Sequence, residues 1–273
     1  MSEKKFIDVE RVIREKNPKL LKRLPGFILR YLKRIIHEDE INNFIVENKD
    51  KKNQEFCQAV VDHFNIKIEV DHLERIPKEG KIVIAMNHPL GGMDAMILVS
   101  ALQDHRADLK FIVNDILMNL SNLNELFVGV NKHGKNKASV RVQIEELFKS
   151  DQAVCIFPAG LVSRRHSNSV EDLEWKKTFV TYSRQYDRTI VPIYINGRLS
   201  NFFYRLSNWR KRLGIRANIE MLYLSNELFK QENKTMKFVV GEPISEELLR
   251  SGLSDRQLAQ KVKQIVYDLK KEI

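Results

Sequence analysis

Residues 81–102, KIVIAMNHPLGGMDAMILVSAL, join two apolar patterns through a short polar loop. Ile82 to Met86 is an unbroken apolar run, rich in β-branched residues, which predicts a buried strand. Met93 to Leu102 stays apolar over the length of a helix. Between them stand Asn87, His88, Pro89, Leu90, Gly91 and Gly92, and Asp94 follows near the head of the helix. The polar residues therefore fall at the carboxyl end of a strand, where open α/β sheets bind ligands. A histidine, with an ordinary pKa near ~6.5, takes a proton at neutral pH when its tautomer and orientation are held. An aspartate across a short loop holds them by accepting the Nδ1 proton. Two glycines between the pair let the backbone turn tightly enough for the side chains to meet. On these residues alone, a structural or an exposed histidine is the commoner reading of such a pair.

Moving outward, the apolar run Gln152 to Ile156 leads into Phe157-Pro158-Ala159-Gly160, again at the end of a strand, and then into Leu161-Val162-Ser163-Arg164-Arg165. Guanidinium groups grip carboxylate or phosphate through two parallel hydrogen bonds, so Arg164 and Arg165 suggest an anionic substrate group, with surface ion pairing as the plain alternative. Beyond residue 70 the same rhythm continues: LKFIV, ELFVGV, SVRVQIEELF, a helical WKKTFVTYSRQY, TIVPIYI, IEMLYL and MKFVV. Alternation of this kind predicts an α/β fold with a largely buried sheet. The last helix has a clear start, a capping box between Ser254 and Gln257 with Leu253 and Leu258 as the apolar staple. Residues 1–70 lack strand-like runs and are expected to form a helical, basic, amphipathic extension packed on a second domain of residues 71–273.

The chain has 273 residues with 46 Lys and Arg against 36 Asp and Glu, a net charge of +10. Hydrophobic residues make up 43% and charged residues 30%, with 11 Gly and 7 Pro, which excludes disordered and fibrous classes. The longest apolar runs fall far short of the roughly 20 residues that span a bilayer. The first residues carry charges throughout and offer no apolar secretory segment, so a cytoplasmic protein is expected. Cys57 and Cys155 stand far apart with no zinc-ligand spacing, which predicts two buried, reduced thiols and no metal site. A basic excess points to nucleic acid, an anionic membrane surface or acidic small molecules as partners, and charge alone does not choose among them.

Much of the excess is concentrated. Residues 11 to 34 hold nine basic side chains against one acid, Glu15. Phe27, Ile28, Tyr31, Leu32, Ile35 and Ile36 repeat at the spacing of one helix face, with Arg30, Lys33 and Arg34 on the other. Pro18 and Pro25-Gly26 interrupt the stretch, which predicts two short helices joined by a turn. Such a design can lie in a membrane interface, and it equally suits a helix packed on its own domain. A second basic stretch, Arg198 to Arg216, contains no acid and interleaves Phe202, Phe203, Tyr204 and Trp209. It fits a headgroup layer, single-stranded nucleic acid, or a solvated loop with aromatics packed beneath. No nucleic-acid-binding motif accompanies it, and no nucleic-acid partner is expected.

The chain resembles the lysophospholipid, or glycerolphosphate, acyltransferases. That family carries an Asn-His-x4-Asp motif, a second motif ending in a basic residue, a Phe-Pro-Glu-Gly motif and a later Val-Pro strand. Here these look like Asn87-His88 to Asp94, Phe127 to Lys132, Phe157 to Gly160, and Val191-Pro192-Ile193. Order and spacing agree over roughly residues 70 to 245. Two departures stand out: five residues separate the histidine from the aspartate, and Ala159 replaces the family's glutamate. The form Asn-His-Pro-Leu-Gly-Gly, preceded by LPGFILRYLKRIIHEDEIN, looks like a hemolysin-like bacterial subgroup that includes O-acyltransferases completing ornithine and glycine lipids.

The resemblance implies a mixed sheet flanked by helices. It implies that His88 acts as general base on a lipid hydroxyl, Asp94 holds the ring, and the hydroxyl attacks the thioester of acyl carrier protein or acyl-CoA. Backbone N–H groups near Gly91, Gly92 or Gly160 would steady the oxyanion, and Lys132, Arg164 and Arg165 the anionic head of the acceptor. Asn87, Phe157, Pro158 and Ser163 complete the implied substrate site. No metal and no cofactor beyond the thioester co-substrate is expected. The implied partners are a lyso-lipid acceptor such as lyso-ornithine or lyso-glycine lipid, acyl carrier protein and the inner face of the cytoplasmic membrane. Lysophosphatidate as acceptor, and a non-catalytic membrane-binding protein, are the competing readings.

Overall fold

The computed structural model describes residues 5–114, 120–130, 137–166 and 169–273. The chain groups into two compact units, residues 1–51 with 199–232, and residues 52–198 with 233–273.

The larger unit is built on a seven-stranded sheet. In chain order its strands are β1 (Lys67–Asp71), β2 (Ile82–Met86), β3 (Leu109–Asn114), β4 (Phe127–Val130), β5 (Ala153–Ile156), β8 (Thr189–Asn196) and β9 (Thr235–Val240). A separate hairpin pairs β6 (Arg164–His166) with β7 (Ser169–Glu171). The order across the sheet is β1-β9-β8-β2-β5-β3-β4, parallel throughout except for the antiparallel pair β8 and β9. This is the mixed sheet that the resemblance implies. Central strand β2 is buried at all five positions, as a strand covered on both faces must be. Its helices are α5 (Asn53–His63), α6 (Gly92–Leu102), α7 (Lys137–Lys149), α8 (Thr178–Gln185), α11 (Glu246–Leu249) and α12 (Asp255–Asp268). One face of the core joins Val83, Val154 and Ile190 of the sheet to Trp175, Phe179, Leu258 and Val262. Helix α12 begins with the expected capping box of Ser254 and Gln257.

Pro192 sits in the central strand β8, where a missing N–H normally costs a ladder bond. The antiparallel ladder with β9 begins one residue later, at Ile193 opposite Val240, and the Pro192 carbonyl accepts from Gly241 N–H at 2.9 Å. The proline thus occupies the end of that ladder. Cys57 and Cys155 are both buried, as expected, and burial pushes their thiols up, Cys57 to about 12.

Arg188 ties the layers together. Its guanidinium, with no exposure to solvent, donates to the carbonyls of Leu147 (2.9 Å), Phe148 (2.7 Å) and Ser150 at the end of α7, and to those of Gln152 (2.8 Å) and Ile82 (3.0 Å). A cation at a helix carboxyl terminus also meets the negative end of the helix dipole. Burial pulls its pKa down to about 10, which leaves it charged at neutral pH. Arg188→Met keeps the apolar stem and strands these acceptors, each costing roughly 1–3 kcal/mol when buried unpaired. The expected outcome is a loss of at least about 3 kcal/mol in denaturant unfolding, with a Tm lowered by roughly 6–12 °C.

The smaller unit is helical: α1 (Val9–Lys16), α2 (Pro18–Arg23), α3 (Gly26–Ile36), α4 (Glu38–Glu47), α9 (Asn201–Arg212) and α10 (Leu224–Phe229). The expected breaks at Pro18 and Pro25-Gly26 are present, but they divide the stretch into three helices, not two. Asn17 closes α1 and caps α2, accepting from Leu20 N–H, with Pro18 at the first helical position. The second basic stretch is helix α9, with Phe203 and Tyr204 buried and Phe202 and Trp209 exposed, not a loop. Buried Glu220 holds Arg210 through both carboxylate oxygens. IEMLYL forms a 3-10 turn over Ile219–Tyr223.

The division at residue 70 is not the one observed. Residues 52–70 belong with the sheet, because β1 pairs with β9 and α5 packs on α6. Residues 199–232, expected inside the second domain, group with the N-terminal helices: Tyr31 and Tyr223 hydroxyls lie 2.7 Å apart, and the His37 ring stacks on Phe229 at 3.8 Å. Strand β1, KIEVD, is only half-buried and lacks the continuous apolar run that marks a central strand.

Candidate active site

Adjacent parallel strands β2 and β5 end side by side, which brings the loops 87–91 and 157–160 together. Asn87, the first residue after β2, donates from Nδ2 to Ile195 O at 2.9 Å and accepts Ile195 N–H on Oδ1 at 2.6 Å. The sequence reading places Asn87 among the substrate contacts. Buried and bonded through both amide atoms, it instead fixes the start of the loop to neighbouring strand β8. Just beyond β8, a Cβ at Gly197 would lie 2.9 Å from Leu90 Cγ and 3.0 Å from Pro89 Cγ, so only glycine lets this loop pack so closely.

Gly91 has φ 75° and ψ −141°, a conformation open to glycine, and it caps α6. The turn delivers Asp94 to the first turn of α6, where the helix dipole favours a carboxylate. His88 Nδ1 lies 3.0 Å from Asp94 Oδ2, and Leu90 N–H donates to the same oxygen at 2.9 Å. The loop therefore absorbs the fifth intervening residue and still closes the pair. Asp94 is fully buried, and its Oδ1 has no hydrogen-bond partner among the described residues. Burial pushes the Asp94 carboxyl above the usual carboxylate range, opposed by the hydrogen bond and charge of His88 and by Leu90 N–H. An ionised carboxylate only accepts, so the hydrogen-bond network assigns the histidine proton to Nδ1 and leaves Nε2 as the basic atom. The His88 side chain is 16% exposed, enough to be reached.

From β5, the Phe157 ring stacks on the His88 ring at 4.1 Å and 23°. Gly160 N–H donates to Phe157 O at 2.9 Å and closes the turn. That amide is engaged and does not serve an oxyanion; at the head of α6, which Gly92 opens, Asp94 N–H is likewise engaged, donating to Gly91 O at 2.9 Å. Pro158 is buried, and its carbonyl accepts Lys176 N–H at 3.1 Å. Ala159, at the position of the family's glutamate, is turned into the core beside Trp175 and Phe179.

Ser163 N–H donates to His88 O at 2.9 Å, and its hydroxyl to Asp172 Oδ1 at 2.6 Å. Arg164 is 1% exposed, with Nη1 on Val162 O at 2.8 Å, so this guanidinium braces the hairpin from within. Arg165 is half-buried on the alternate face of β6. Lys132 lies outside the described residues; the strand before it, β4, is the sheet edge, three places from β2. Two site residues escape the sequence reading. Asp172 is one acid among several in VEDLEW, and Lys176, whose ammonium lies 3.1 Å from the Cβ position of Gly160, sits in a run of surface lysines. Neither stands in a spacing that separates it from its neighbours.

Comparison with known proteins places the chain in a family. Residues 11–273 match an acyltransferase family model. A lyso-glycine lipid O-acyltransferase of Bacteroides thetaiotaomicron is 45% identical over 265 residues, covering 97% of either chain. A protein of the same name from Phocaeicola vulgatus is 41% identical, covering 97% of this chain and 95% of that one. The crystal structure of the 1-acyl-sn-glycerophosphate acyltransferase PlsC from Thermotoga maritima shares the fold, with a TM-score of 0.51 at 14% identity over 89% of this chain and 95% of that one. With its sheet, its ordered histidine–aspartate loop and matches over nearly its whole length, this chain belongs to the acyltransferase family.

Proposed function

We propose that this acyltransferase moves a fatty acyl group from a thioester to the free hydroxyl of a lyso-glycine lipid, with His88 as general base. The observation that carries the chemistry is the His88 Nδ1 to Asp94 Oδ2 contact of 3.0 Å. The names of the two relatives supply the acceptor class. Nε2 takes the hydroxyl proton as the lipid oxygen attacks the thioester carbonyl carbon. The tetrahedral intermediate collapses by breaking the carbon–sulfur bond, and the departing thiolate receives the proton from Nε2. Asp94 stabilises the imidazolium between the two steps. The reaction balances with thioester and lipid alone, so no enzyme nucleophile is needed. Lys176 and Arg165 are the cations we assign to the carboxylate of the acceptor.

The acceptor resides in a bilayer, and the helical unit supports a membrane-facing role. The two basic segments, distant in sequence, meet in this unit, where Phe202 packs edge-on against Tyr223 at 4.9 Å and Tyr223 bonds to Tyr31. Phe27 (66% exposed) on α3 with Arg30, Trp209 (57%) on α9 with Arg205 and Lys211, and Leu213 (55%) just after α9 are exposed to solvent. An open hollow on α3 is lined by Phe27, Ile28, Arg30, Tyr31 and Arg34. Among the described residues no helix is long and apolar enough to cross a membrane. Each basic side chain near an anionic leaflet contributes roughly 1 kcal/mol. The protein is expected to sediment with vesicles containing anionic lipid at low salt and to be released at high salt. Equal binding to neutral vesicles at high salt would remove the electrostatic basis.

Purified protein offered acyl-acyl carrier protein or acyl-CoA with lyso-glycine lipid, lyso-ornithine lipid and lysophosphatidate in parallel tests the acceptor. Transfer to lyso-glycine lipid is expected with a kcat/KM at least ~10-fold above that for lysophosphatidate, the discrimination of a site that pairs a carboxylate in fixed geometry. A preference for lysophosphatidate would replace the amino-lipid reading with the glycerophosphate one.

A further inference from the structure

We infer that Asp172 is a positioning residue that holds the His88 backbone in place, while Asp94 holds the ring; the inference rests on His88 being the base. The hairpin of β6 and β7 places Arg164 opposite Glu171, so the residues just outside it, Ser163 and Asp172, meet at its base. Between them they grip both polar groups of the His88 main chain. Asp172 Oδ1 accepts His88 N–H at 3.2 Å, Ser163 N–H donates to His88 O at 2.9 Å, and Ser163 Oγ donates to Asp172 Oδ1 at 2.6 Å.

The clamp is itself anchored. Asp172 is 2% exposed, and its Oδ2 accepts Trp175 Nε1–H at 2.9 Å. Its N–H donates to the Tyr267 hydroxyl at 2.6 Å, and its carbonyl accepts Lys263 Nζ at 2.7 Å, both from α12. A carboxylate accepting three side-chain and main-chain donors joins β2's loop, the hairpin base and α12 at one point. Asp94 and Leu90 travel with His88 on one segment, whereas Asp172 holds the histidine main chain from outside it, as Asn87 holds the head of the loop on β8. Misplacement of a reacting group by about 1 Å costs on the order of 10²-fold in rate, which is the scale at stake.

The experiment compares wild type, Asp172→Ala, Ser163→Ala, the double variant and His88→Ala in steady-state kinetics. Selective ¹⁵N-histidine labelling reports the His88 amide in each variant. Asp172→Ala is expected to lower kcat by about 10²-fold with both KM values within about threefold. Ser163→Ala is expected to lower it by about fivefold, and the double variant to be no worse than Asp172→Ala, because both act through one oxygen. The His88 amide resonance should move in every Asp172 and Ser163 variant. A folded Asp172→Ala with kcat within about threefold of wild type, or a raised KM with kcat intact, would overturn the inference. If Asp172→Ala does not fold, Ser163→Ala decides, and wild-type kcat with an unmoved His88 amide overturns it. Full activity in His88→Ala would instead refute the base, and the amide resonance would still test the clamp.

Discussion

His88→Ala is expected to abolish nearly all turnover, with kcat down by about 10²–10⁴-fold, the range that a positioned general base contributes. The reasoning is geometric. Nε2 is the basic atom of the site once Nδ1 is committed to Asp94 at 3.0 Å. The lipid hydroxyl is a poor nucleophile without proton removal. The His88 main-chain bonds to Ser163 and Asp172 survive the change, whereas the ring's pairing with buried Asp94 and its stacking on Phe157 are lost, so some stability should go with the activity. The check is single-turnover transfer from a radiolabelled acyl thioester, with thermal unfolding run alongside. Unchanged turnover in folded protein would remove His88 from the chemistry.

Asp94→Asn should cost about 10²–10⁴-fold in kcat for a different reason, the lost charge. His88 Nδ1 and Leu90 N–H share one oxygen of Asp94, so an asparagine oxygen in that place accepts both and the amide nitrogen takes the place of Oδ1. The neutral amide no longer stabilises the imidazolium that forms as Nε2 takes the hydroxyl proton, and Nε2 becomes a weaker base. Stability should move the other way with pH. Burial raises the Asp94 pKa, led by desolvation and only partly offset by His88. A carboxyl whose folded pKa exceeds its unfolded value stabilises the fold below the unfolded value, and that contribution is lost as pH rises through the folded one. Wild type should therefore lose stability relative to Asp94→Asn on raising the pH from the ordinary carboxylate range through the elevated Asp94 value. Unfolding free energies of both proteins across that window provide the measurement. Parallel curves would show that Asp94 is not raised, and wild-type kcat in the variant would remove the charge argument.

The sequence by itself determined the α/β class, the strand–loop–helix around His88, the cap of α12 and the histidine–aspartate pair. Each of these is encoded within a few positions: a period of apolar residues, a glycine that permits a turn, a cap three residues from its partner. His88 and Asp94 are close in the chain, and Gly91 supplies the turn between them. What joins distant segments was decided by tertiary structure. Asn87 meets Ile195 across 108 positions, His88 meets Asp172 across 84, and Tyr31 meets Tyr223 across 192. The role of Asn87 as a strand clamp, the burial of Arg164, the clamp at Asp172 and the union of residues 199–232 with the N-terminal helices all rest on such pairings. The physical reason is that local periodicity states which face of an element is apolar, whereas the partner that covers it, or satisfies a buried polar group on it, is selected by shape and hydrogen bonding in the folded chain.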